Sequence, residues 1–345
     1  MVKNQHPTLD DVAHRADVSL ATASRVLNGS NDRSVGEKLR NRVLSATEEL
    51  GYIPNAHAQA LAGAATSTVG VITHDVSDPY FSALARGAMR VATEHSLLVM
   101  LASTFRDPER EIAYVSTLRS QRARALLLIG SGFEDPTYTQ AMQAELTPYR
   151  KAGGSIAMVS HHNLPIDAVV PNNRAGAAKM AETLYDLGHR RFAIIHGPQM
   201  LTTVAHRFAG FTEALAQRGI EVDPNTIVDG AFTRDGGYDA ALELVRRGLP
   251  ASAIFCLNDV MAVGASAALR EQGYTVPDDV SLAGFDDIEI VRDITPPLTT
   301  LRLPLEDIGA RAMEMALEEG ETRDPRVEHV DGQVVLRDST TSPRT

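Results

Sequence analysis

The sequence predicts an all-α N-terminal segment followed by an α/β domain of two doubly wound lobes. Three observations predict this fold class. Residues 8–50 contain three short stretches with helical periodicity. From about Thr68 onwards, short apolar runs alternate with amphipathic stretches of helical length, a pattern typical of parallel βαβ units. The 345 residues are also enough for two or three domains of roughly 150 residues each.

The N-terminal helices are predicted from their capping residues and apolar spacing. Thr8 is a good N-cap for "LDDVAHRA", whose acidic residues lie in the first turn, where the helix dipole favours them. Ser19 can cap the second helix, "LATASRVLN". The third helix is predicted from about residue 37 to residue 50, with three apolar side chains on one face: Leu39, Val43 and Leu50.

The strands of the α/β part are predicted from apolar runs. These runs are "TVGVIT", "LLVMLAS", "ALLLIG", "IAMVS", "RFAIIHG", "AIFCLND" and "VSLAGF". They are too many for one mononucleotide-type sheet, so two lobes are expected. The tail "TTSPRT" is expected to be disordered.

Composition restricts the compartment and the chemistry. The polar start "MVKNQHPTLDD" has no apolar signal region, and no later run approaches the ~18 apolar residues of a membrane span, so a cytoplasmic protein with no membrane partner is expected. Cys256 is the one cysteine and cannot form an internal disulfide. It lies in the apolar run "AIFCLN", which favours a small buried side chain over a nucleophile.

Charge is divided unevenly along the chain. Residues 1–66 contain seven basic and seven acidic residues, so the remainder carries the whole net charge of −11. Acidic surfaces repel phosphate. Any contact with nucleic acid is therefore expected from the N-terminal segment.

The second helix has two different faces on a helical wheel. One arc of about 140° holds small or polar side chains and a single arginine: Leu20, Ala21, Ser24, Arg25 and Asn28. Ala23, Val26 and Leu27 lie opposite and are expected to pack on the first helix. A helix that enters the major groove needs such small side chains. A generic surface helix remains the alternative, although such helices usually carry Lys and Glu pairs.

The N-terminal motifs resemble a known family. "TLDDVAHRADVSLATASRVLNG" and "VGEKLRNRVLSATEELGYIPNAHAQALA" are similar to the DNA-binding headpiece of the LacI/GalR family of bacterial transcription repressors, over residues 8–62. Three positions depart from the family pattern: Asp17 replaces a glycine, Ala23 a valine and Gly36 a serine. The resemblance implies a helix-turn-helix headpiece over 1–52, a hinge helix and linker over 53–67, and a periplasmic-binding-protein-like effector-binding and dimerisation domain over 68–345.

The same resemblance implies which residues contact DNA. Leu20 and Ala21 would face base edges, and Arg25 would bind a guanine. The hinge helix would pair with that of a second subunit, and its leucine would wedge into the minor groove. The full predicted set is Thr8, Ser19, Leu20, Ala21, Thr22, Ser24, Arg25, Asn28, Tyr52, Asn55, Ala58, Gln59 and Leu61.

An effector site is expected where the strands of the α/β domain end. Ligands of open α/β sheets bind beyond the carboxyl ends of strands, where the sequence places Tyr80, Phe81, Asn258, Asp259 and Asp286. By resemblance, "LTTVAHRFAGF" adds Thr203 and Arg207, and "GAFTRDGGYDAA" adds Phe232. Ser160 and Asn172 stand at two further family positions, the first of which is often aspartate. Simpler roles stay open for four of these residues. Phe81 and Phe232 could be core, Asp286 a helix cap and Arg207 a surface ion pair.

Other chemistry has little support in the sequence. "GSGFED" is not a complete dinucleotide fingerprint, and neither a P-loop nor a G-x-S-x-G motif occurs. "SHHN" lacks a spaced third metal ligand. We therefore expect that the protein is not an enzyme and needs neither a cofactor nor a metal. We expect a homodimeric repressor that binds a near-palindromic operator and responds to a small metabolite, preferably a sugar. The alternatives are a solute-binding protein of a transport system, which would need a signal peptide and no headpiece, and a sugar-processing enzyme.

Overall fold

A computed structural model describes residues 7–28, 35–53, 66–133, 135–160, 163–318 and 324–344. The chain divides into two compact units, and the boundary in the sequence lies between Ser67 and Thr68. The first is all-α and the second is α/β with two lobes, so the predicted fold class is confirmed.

The first unit consists of three helices: α1 (Leu9–Arg15), α2 (Leu20–Asn28) and α3 (Glu37–Leu50). The predicted caps are present. The Thr8 hydroxyl accepts a hydrogen bond from the Asp11 amide, and the Asp11 carboxylate accepts one from the Thr8 amide at 2.8 Å. Ser19 Oγ accepts from the Thr22 amide at 3.1 Å. The entry into each of the first two helices is therefore fixed by a local side chain.

The core of this unit is small and built largely of alanine and valine. Its fully buried members are Val12, Ala13, Ala16, Ala23, Val43 and Ala46, and its partly buried members include Leu9, Val18, Val26, Leu27, Leu50 and Tyr52. Leu39 shares the predicted face of α3 but is exposed and lies outside this core.

The turn between α1 and α2 uses an unusual residue. Asp17 has φ of 50°, a left-handed conformation that Asp tolerates better than most side chains. Arg42 of α3 donates to the Asp17 carbonyl at 2.7 Å and to its carboxylate at 3.0 Å, and also to the Ala16 carbonyl. The third helix therefore holds this turn in place.

The second unit begins with a six-stranded parallel sheet, the first sheet, which belongs to the first lobe. Its strands are β1 (Thr68–Thr73), β2 (Leu98–Ser103), β3 (Ala125–Ile129), β4 (Ser155–Val159), β5 (Asp167–Pro171) and β11 (Val327–Val330). They lie in the order β11-β5-β4-β3-β1-β2. The helices of this lobe are α4 (Pro79–Glu94), α5 (Pro108–Ser120), α6 (Pro136–Lys151) and α11 (Leu305–Leu317).

The second lobe has a four-stranded parallel sheet in the order β7-β6-β8-β9. Its strands are β6 (Phe192–His196), β7 (Ile227–Asp229), β8 (Ala253–Cys256) and β9 (Ser281–Ala283). Its helices are α7 (Asn173–Asp186), α8 (Thr202–Ala216), α9 (Arg234–Arg246) and α10 (Asp259–Glu271), with short 3₁₀ turns at Pro224–Thr226 and Glu289–Arg292. An antiparallel pair, β10 (Thr300–Arg302) and β12 (Gln333–Val335), completes the lobe.

The chain crosses between the lobes at three places: from β5 to α7, from β10 to α11 and from β11 to β12. Helix α11 returns to pack on α4, where a Cβ on Gly87 would overlap the Glu306 carbonyl. Each lobe is therefore made of segments that are distant in sequence.

Three helices of the first lobe begin in the same way after a strand. Asp78, Asp107 and Asp135 each precede a proline, and each carboxylate accepts a hydrogen bond from the amide two residues later, at 2.8–3.0 Å. An aspartate N-cap with proline at the first helical position is a strong helix start. These caps fix the turns at the carboxyl end of the first sheet.

The C-terminal tail is held by the second lobe, so the prediction of disorder for it is wrong. The Leu282 amide donates to the Ser339 carbonyl at 2.8 Å, and the Thr341 amide donates to Ser281 Oγ at 3.1 Å. The Thr340 hydroxyl lies 2.7 Å from that of Thr299. Two of these hydrogen bonds involve backbone groups and the third joins two hydroxyls, and neither kind of pairing can be read from composition.

Within the described ranges, no helix combines the length and the apolar character needed to cross a membrane.

Candidate functional site

A cleft lies between the two lobes, beyond the carboxyl ends of their parallel strands. Eight of the ten residues predicted for the effector site line it: Tyr80, Phe81, Ser160, Thr203, Arg207, Phe232, Asn258 and Asp286. The topology explains this convergence, because parallel strands present their carboxyl ends at one edge of a sheet.

Arg207 is the central cation of the second-lobe wall. It lies on α8, only 2% exposed. Its guanidinium donates to Asp286 at 2.7 Å, to the Asn173 side-chain oxygen at 2.8 Å and to the Leu257 carbonyl at 2.6 Å, and it stacks on the Phe285 ring. Such complete use of the guanidinium fixes its position. The alternative of a surface ion pair is therefore excluded for Arg207.

Buried carboxylates support the same wall. Burial raises the pKa of Asp286, and the facing Arg207 guanidinium opposes this rise. Asp259 lies behind the cleft, where it accepts hydrogen bonds from the Ile288 amide at 2.9 Å and the Thr300 hydroxyl at 2.5 Å. Burial raises the pKa of Asp259 to about 6. Asp286 is held in a left-handed conformation with φ of 118°, and it is not a helix cap.

The first-lobe wall is largely aromatic. Tyr80 and Phe81 follow the Asp78 cap at the start of α4, and their rings meet edge to face at 5.0 Å. The His74 ring lies 5.5 Å from Phe81 and 5.9 Å from Phe133. Burial raises the pKa of the Tyr80 hydroxyl. Flat apolar rings with few polar groups are typical of small-molecule sites.

Polar contacts hold the two lobes together across the cleft. The Thr203 amide donates to Ser131 Oγ at 3.0 Å, and the Thr202 amide donates to the Gly132 carbonyl at 3.1 Å. The hydroxyls of Ser160 and Thr203 lie 3.4 Å apart. About 30 Å³ of free volume remains, far below the roughly 300 Å³ or more of usual ligand pockets. The cleft is therefore closed, and the lobes must separate to admit a sugar-sized molecule.

Asn172 is one of the two predicted effector-site residues that do not line the cleft, the other being Asp259. Its amide nitrogen donates to Asp331 at 2.7 Å, and its oxygen lies 3.0 Å from His329 Nδ1. It lines a separate groove beside the first lobe crossing. The adjacent Asn173 instead bonds Arg207. Asn172 is the N-cap of α7 and Asn173 is its first residue, so their side chains point in different directions.

Sequence reasoning missed several residues of the cleft: His74, Asp78, Arg106 and Ser131. Each follows a strand of the first sheet, so the strand-end rule that selected Tyr80 and Phe81 could have found them. The repeated Asp-Pro helix start was the available signal for Asp78 and for the turn that contains Arg106.

The second candidate surface is the outer face of α2. Leu20 is 49% exposed, and Ala21 and Arg25 are also exposed, whereas Ala23 is fully buried. Thr22 and Ser24 are half-buried beside them. The helix therefore presents a small, mostly uncharged surface with one arginine, as predicted from its periodicity.

Three of the other predicted DNA-contacting residues make contacts within the headpiece. The hydroxyls of Thr8 and Ser19 cap helices, and Tyr52 packs against the headpiece core. The Asn28 side chain and all of Asn55, Ala58, Gln59 and Leu61 lie outside the described residues.

No metal centre was found in the part of the chain that the structure describes, because no three His, Cys, Asp or Glu side chains are grouped there. The buried Cys256 lies behind the cleft, and burial raises the pKa of its thiol. This favours its predicted role as a small core residue.

Comparisons with known proteins match both units. Residues 8–55 match the family described as bacterial regulatory proteins, lacI family, and residues 181–340 match the periplasmic binding protein-like domain. The chain is 33% identical to the HTH-type transcriptional repressor CytR of Escherichia coli (strain K12), over 96% of each chain.

Two solved structures extend the comparison. The lac repressor dimer bound to operator and the anti-inducer ONPF has a TM-score of 0.85 and 27% identity, covering 98% of this chain and all of that one. The complex of the transcriptional regulator CelR with cellobiose has a TM-score of 0.69 and 29% identity, covering 96% of this chain and 99% of that one.

Proposed function

The chain belongs to the LacI family of bacterial regulatory proteins, and from this we propose that it represses transcription as a ligand-controlled homodimer in the cytoplasm. It is a DNA-binding regulator and not an enzyme. The observation that carries the proposal is the two-faced helix α2, whose apolar side is buried while its small, exposed side carries Arg25. Such a helix can approach base edges in the major groove.

Dimerisation is supported by the edge of the first sheet. Strand β2 is an edge strand, and its Leu98 and Leu101 are 67% and 40% exposed. Unpaired apolar edges are unusual in monomers, because they tend to associate. The lac repressor structure similar to this chain is a dimer on operator DNA. Two-fold symmetry in the protein implies a near-palindromic operator.

The interlobe cleft is proposed to bind a sugar or sugar-like effector. It combines the flat rings of Phe81 and Phe232 with the fixed charges of Arg207 and Asp286, a combination suited to a ring that carries hydroxyl groups. CelR, which resembles this chain, was solved with cellobiose. The solute-binding alternative is less favoured, because the chain carries the regulatory helices of residues 8–55.

The mechanism links this cleft to DNA through the equilibrium between open and closed lobes. An effector that bridges the two walls stabilises the closed form. Opening or closing of the lobes also changes how the first lobe of one subunit meets the first lobe of the other in the dimer. Ligand affinity and operator affinity are then coupled, and the coupling is reciprocal at equilibrium.

The experiment that tests the proposal is selection of bound DNA from fragments of the source genome with the full-length protein. We expect recovered fragments to share a near-palindromic element that competes with random duplex at moderate salt. Arg25→Ala should weaken binding to this element about 5- to 150-fold, since a good bidentate base contact contributes about 1–3 kcal/mol.

The control is Arg40→Ala, which removes one exposed cation from α3 instead of α2. It should weaken operator and random duplex similarly. Equal binding of the wild-type protein to selected and random duplexes would refute the proposal.

A further inference from the structure

The side chain of Arg106 is a largely buried cation whose ion pair with Asp78 is long. Its side chain is only 18% exposed, yet the carboxylate oxygen of Asp78 lies 3.9 Å from its nearest guanidinium nitrogen. Among the described residues, its Nε is buried with no hydrogen-bond partner. Burial lowers its pKa. Unpaired buried donors of a charged group are costly, which points to a partner that a ligand would supply.

The nearby carboxylates are already engaged by the backbone. Asp78 Oδ1 accepts from the Tyr80 amide at 3.0 Å as the cap of α4. Asp75 Oδ1 accepts from the amide and hydroxyl of Ser77, at 2.9 and 2.7 Å. Asp78 faces Arg106 only with its second oxygen, Oδ2, at the long distance of 3.9 Å. By contrast, the other arginine of the cleft, Arg207, is bonded directly to Asp286.

The backbone directs Arg106 into the cleft. Phe105 and Arg106 have φ of 54° and 61°, two successive left-handed residues after β2. Non-glycine side chains adopt this conformation at a cost of about 1 kcal/mol or more each, and such strain is often found at functional sites. The Arg106 guanidinium carbon lies 6.0 Å from the Phe81 ring centre and 5.9 Å from that of Phe232.

Arg106 also connects the lobes. Its guanidinium donates a hydrogen bond of 3.3 Å to the Phe232 carbonyl, whereas the residue itself belongs to the first lobe. A group bound between the aromatic rings would therefore contact Arg106 directly when the lobes close.

We propose that the effector carries an anionic group, a carboxylate or a phosphate, which pairs with Arg106 between Phe81 and Phe232. The inference rests on the proposed function and specifies the chemical class of the effector. The guanidinium offers a planar pair of donors that matches either anion. The other charged groups of the cleft are Arg207 and Asp286, which are paired with each other, and the carboxylate of Asp78.

The test compares each neutral sugar with its acidic counterparts. Glucose, galactose and mannose would be titrated calorimetrically into the full-length protein, together with the corresponding hexuronates and hexose 6-phosphates. We expect at least one acidic sugar to bind about tenfold or more tightly than its neutral parent. The affinities of the hexuronates and of the hexose 6-phosphates, compared with each other, identify whether a carboxylate or a phosphate is preferred. Equal or tighter binding of every neutral parent, or no binding by any acidic sugar, would overturn the inference.

Variants assign the preference to one side chain. Arg106→Gln should reduce the ratio of acidic to neutral affinity to about one. Arg106→Lys should retain part of the ratio, because it keeps the charge but loses the planar fork. The matched control is Arg110→Gln, which removes an exposed arginine of the next helix that pairs with Asp107. It should leave the ratio unchanged. A ratio that survives Arg106→Gln would place the anion elsewhere and contradict the inference.

Operator binding by the same preparations separates the two proposals. If the protein binds a selected operator and only neutral sugars alter that binding, the proposed regulator stands and the anionic effector is refuted. If the protein selects no operator, the proposed function fails, although the preference for acidic sugars is still measured by calorimetry.

Discussion

Buried charges determine much of the behaviour of individual residues in this protein. Arg207 and Asp286 form a pair whose two side chains are almost wholly inaccessible to solvent. Taking two charges from water is costly, and the pair is tolerable because each partner satisfies the other. Loss of one partner leaves an uncompensated charge.

We predict that Asp286→Ala lowers the free energy of unfolding of the α/β unit by about 3–5 kcal/mol, because it leaves the buried Arg207 guanidinium without its counter-charge. Chemical denaturation followed by circular dichroism measures this change. The matched control is Asp235→Ala, since Asp235 pairs with Arg234 but its side chain is 84% exposed. That substitution should cost about 0–1 kcal/mol. Similar losses in both variants would contradict the argument.

Glu111 gives a second prediction, which concerns pH. It lies on α5, almost fully buried, where the Tyr138 hydroxyl interacts with it. Burial raises the pKa of Glu111 from its usual 4.5 to about 7. Between these values the folded state retains a proton that the unfolded chain has lost, so stability falls as pH rises through this window.

Glu111→Gln should remove this dependence. The variant is expected to gain stability relative to wild type as pH rises from 5 to 8, by at most about 3 kcal/mol. Urea denaturation at the two pH values measures the difference. Glu109→Gln, an exposed change on the same helix, should show no comparable gain. A constant difference between wild type and Glu111→Gln at both pH values would refute the prediction.

The sequence predicted many of the cleft residues but not the orientation of each side chain. Strand ends located Tyr80, Phe81 and Asp286, because parallel topology alone brings strand ends together. Strand ends also mark the position of Arg106, but the direction of its side chain depends on two left-handed residues, which strand ends do not reveal. Asn172 and Asn173 show the same limit, because a shift of one residue at a helix start changes which side chain reaches Arg207.

At the scale of secondary structure elements, periodicity was the most informative signal. The two faces of α2 follow from the 3.6-residue repeat, and the apolar runs coincide with strands such as β1 and β3. Strands β10 and β12 are three residues long and partly exposed, so they produce no comparable apolar run. Their pairing depends on contacts between residues more than thirty positions apart.

Helix α2 also gives a prediction that separates folding from DNA recognition. Ala23 is fully buried in the small headpiece core, so Ala23→Leu should overpack it and destabilise the headpiece by about 1–3 kcal/mol. Ala21→Leu adds the same atoms to the exposed face and should leave the headpiece stable but alter operator affinity. Amide hydrogen exchange of residues 8–50 and operator titrations distinguish the two effects. Equal protection in both variants would contradict the assignment of the faces.

At the scale of the whole molecule, charge and function are separated along the chain. The neutral N-terminal segment carries the proposed DNA surface, whereas the remainder carries the net charge of −11. An acidic α/β unit repels DNA, so non-specific binding should be weak, and selectivity should depend on the fit of two headpieces to one operator.

The equilibrium between open and closed lobes gives the prediction at this scale. Ser131→Ala removes the side-chain acceptor of the Thr203 amide, a contact between lobes that contributes about 1 kcal/mol. The unliganded variant should be open more often, by about fivefold, and small-angle X-ray scattering should show a larger radius of gyration. Its operator affinity should change in the direction opposite to that caused by the effector.

Ser120→Ala, a change at an exposed serine of α5, serves as the control and should affect neither measurement. If Ser131→Ala increased the radius but left operator affinity unchanged, lobe closure would not control DNA binding.

The three crossings between the lobes have a mechanical consequence. A single connecting strand would allow one lobe to swing and twist freely relative to the other. Three connections, after Pro171, Arg302 and Val330, restrict the relative motion of the lobes to essentially one hinge rotation. Ligands of different shapes would then all produce motion along the same coordinate and differ only in how far they drive it. A regulator built in this way can be tuned to new metabolites by changing the cleft alone.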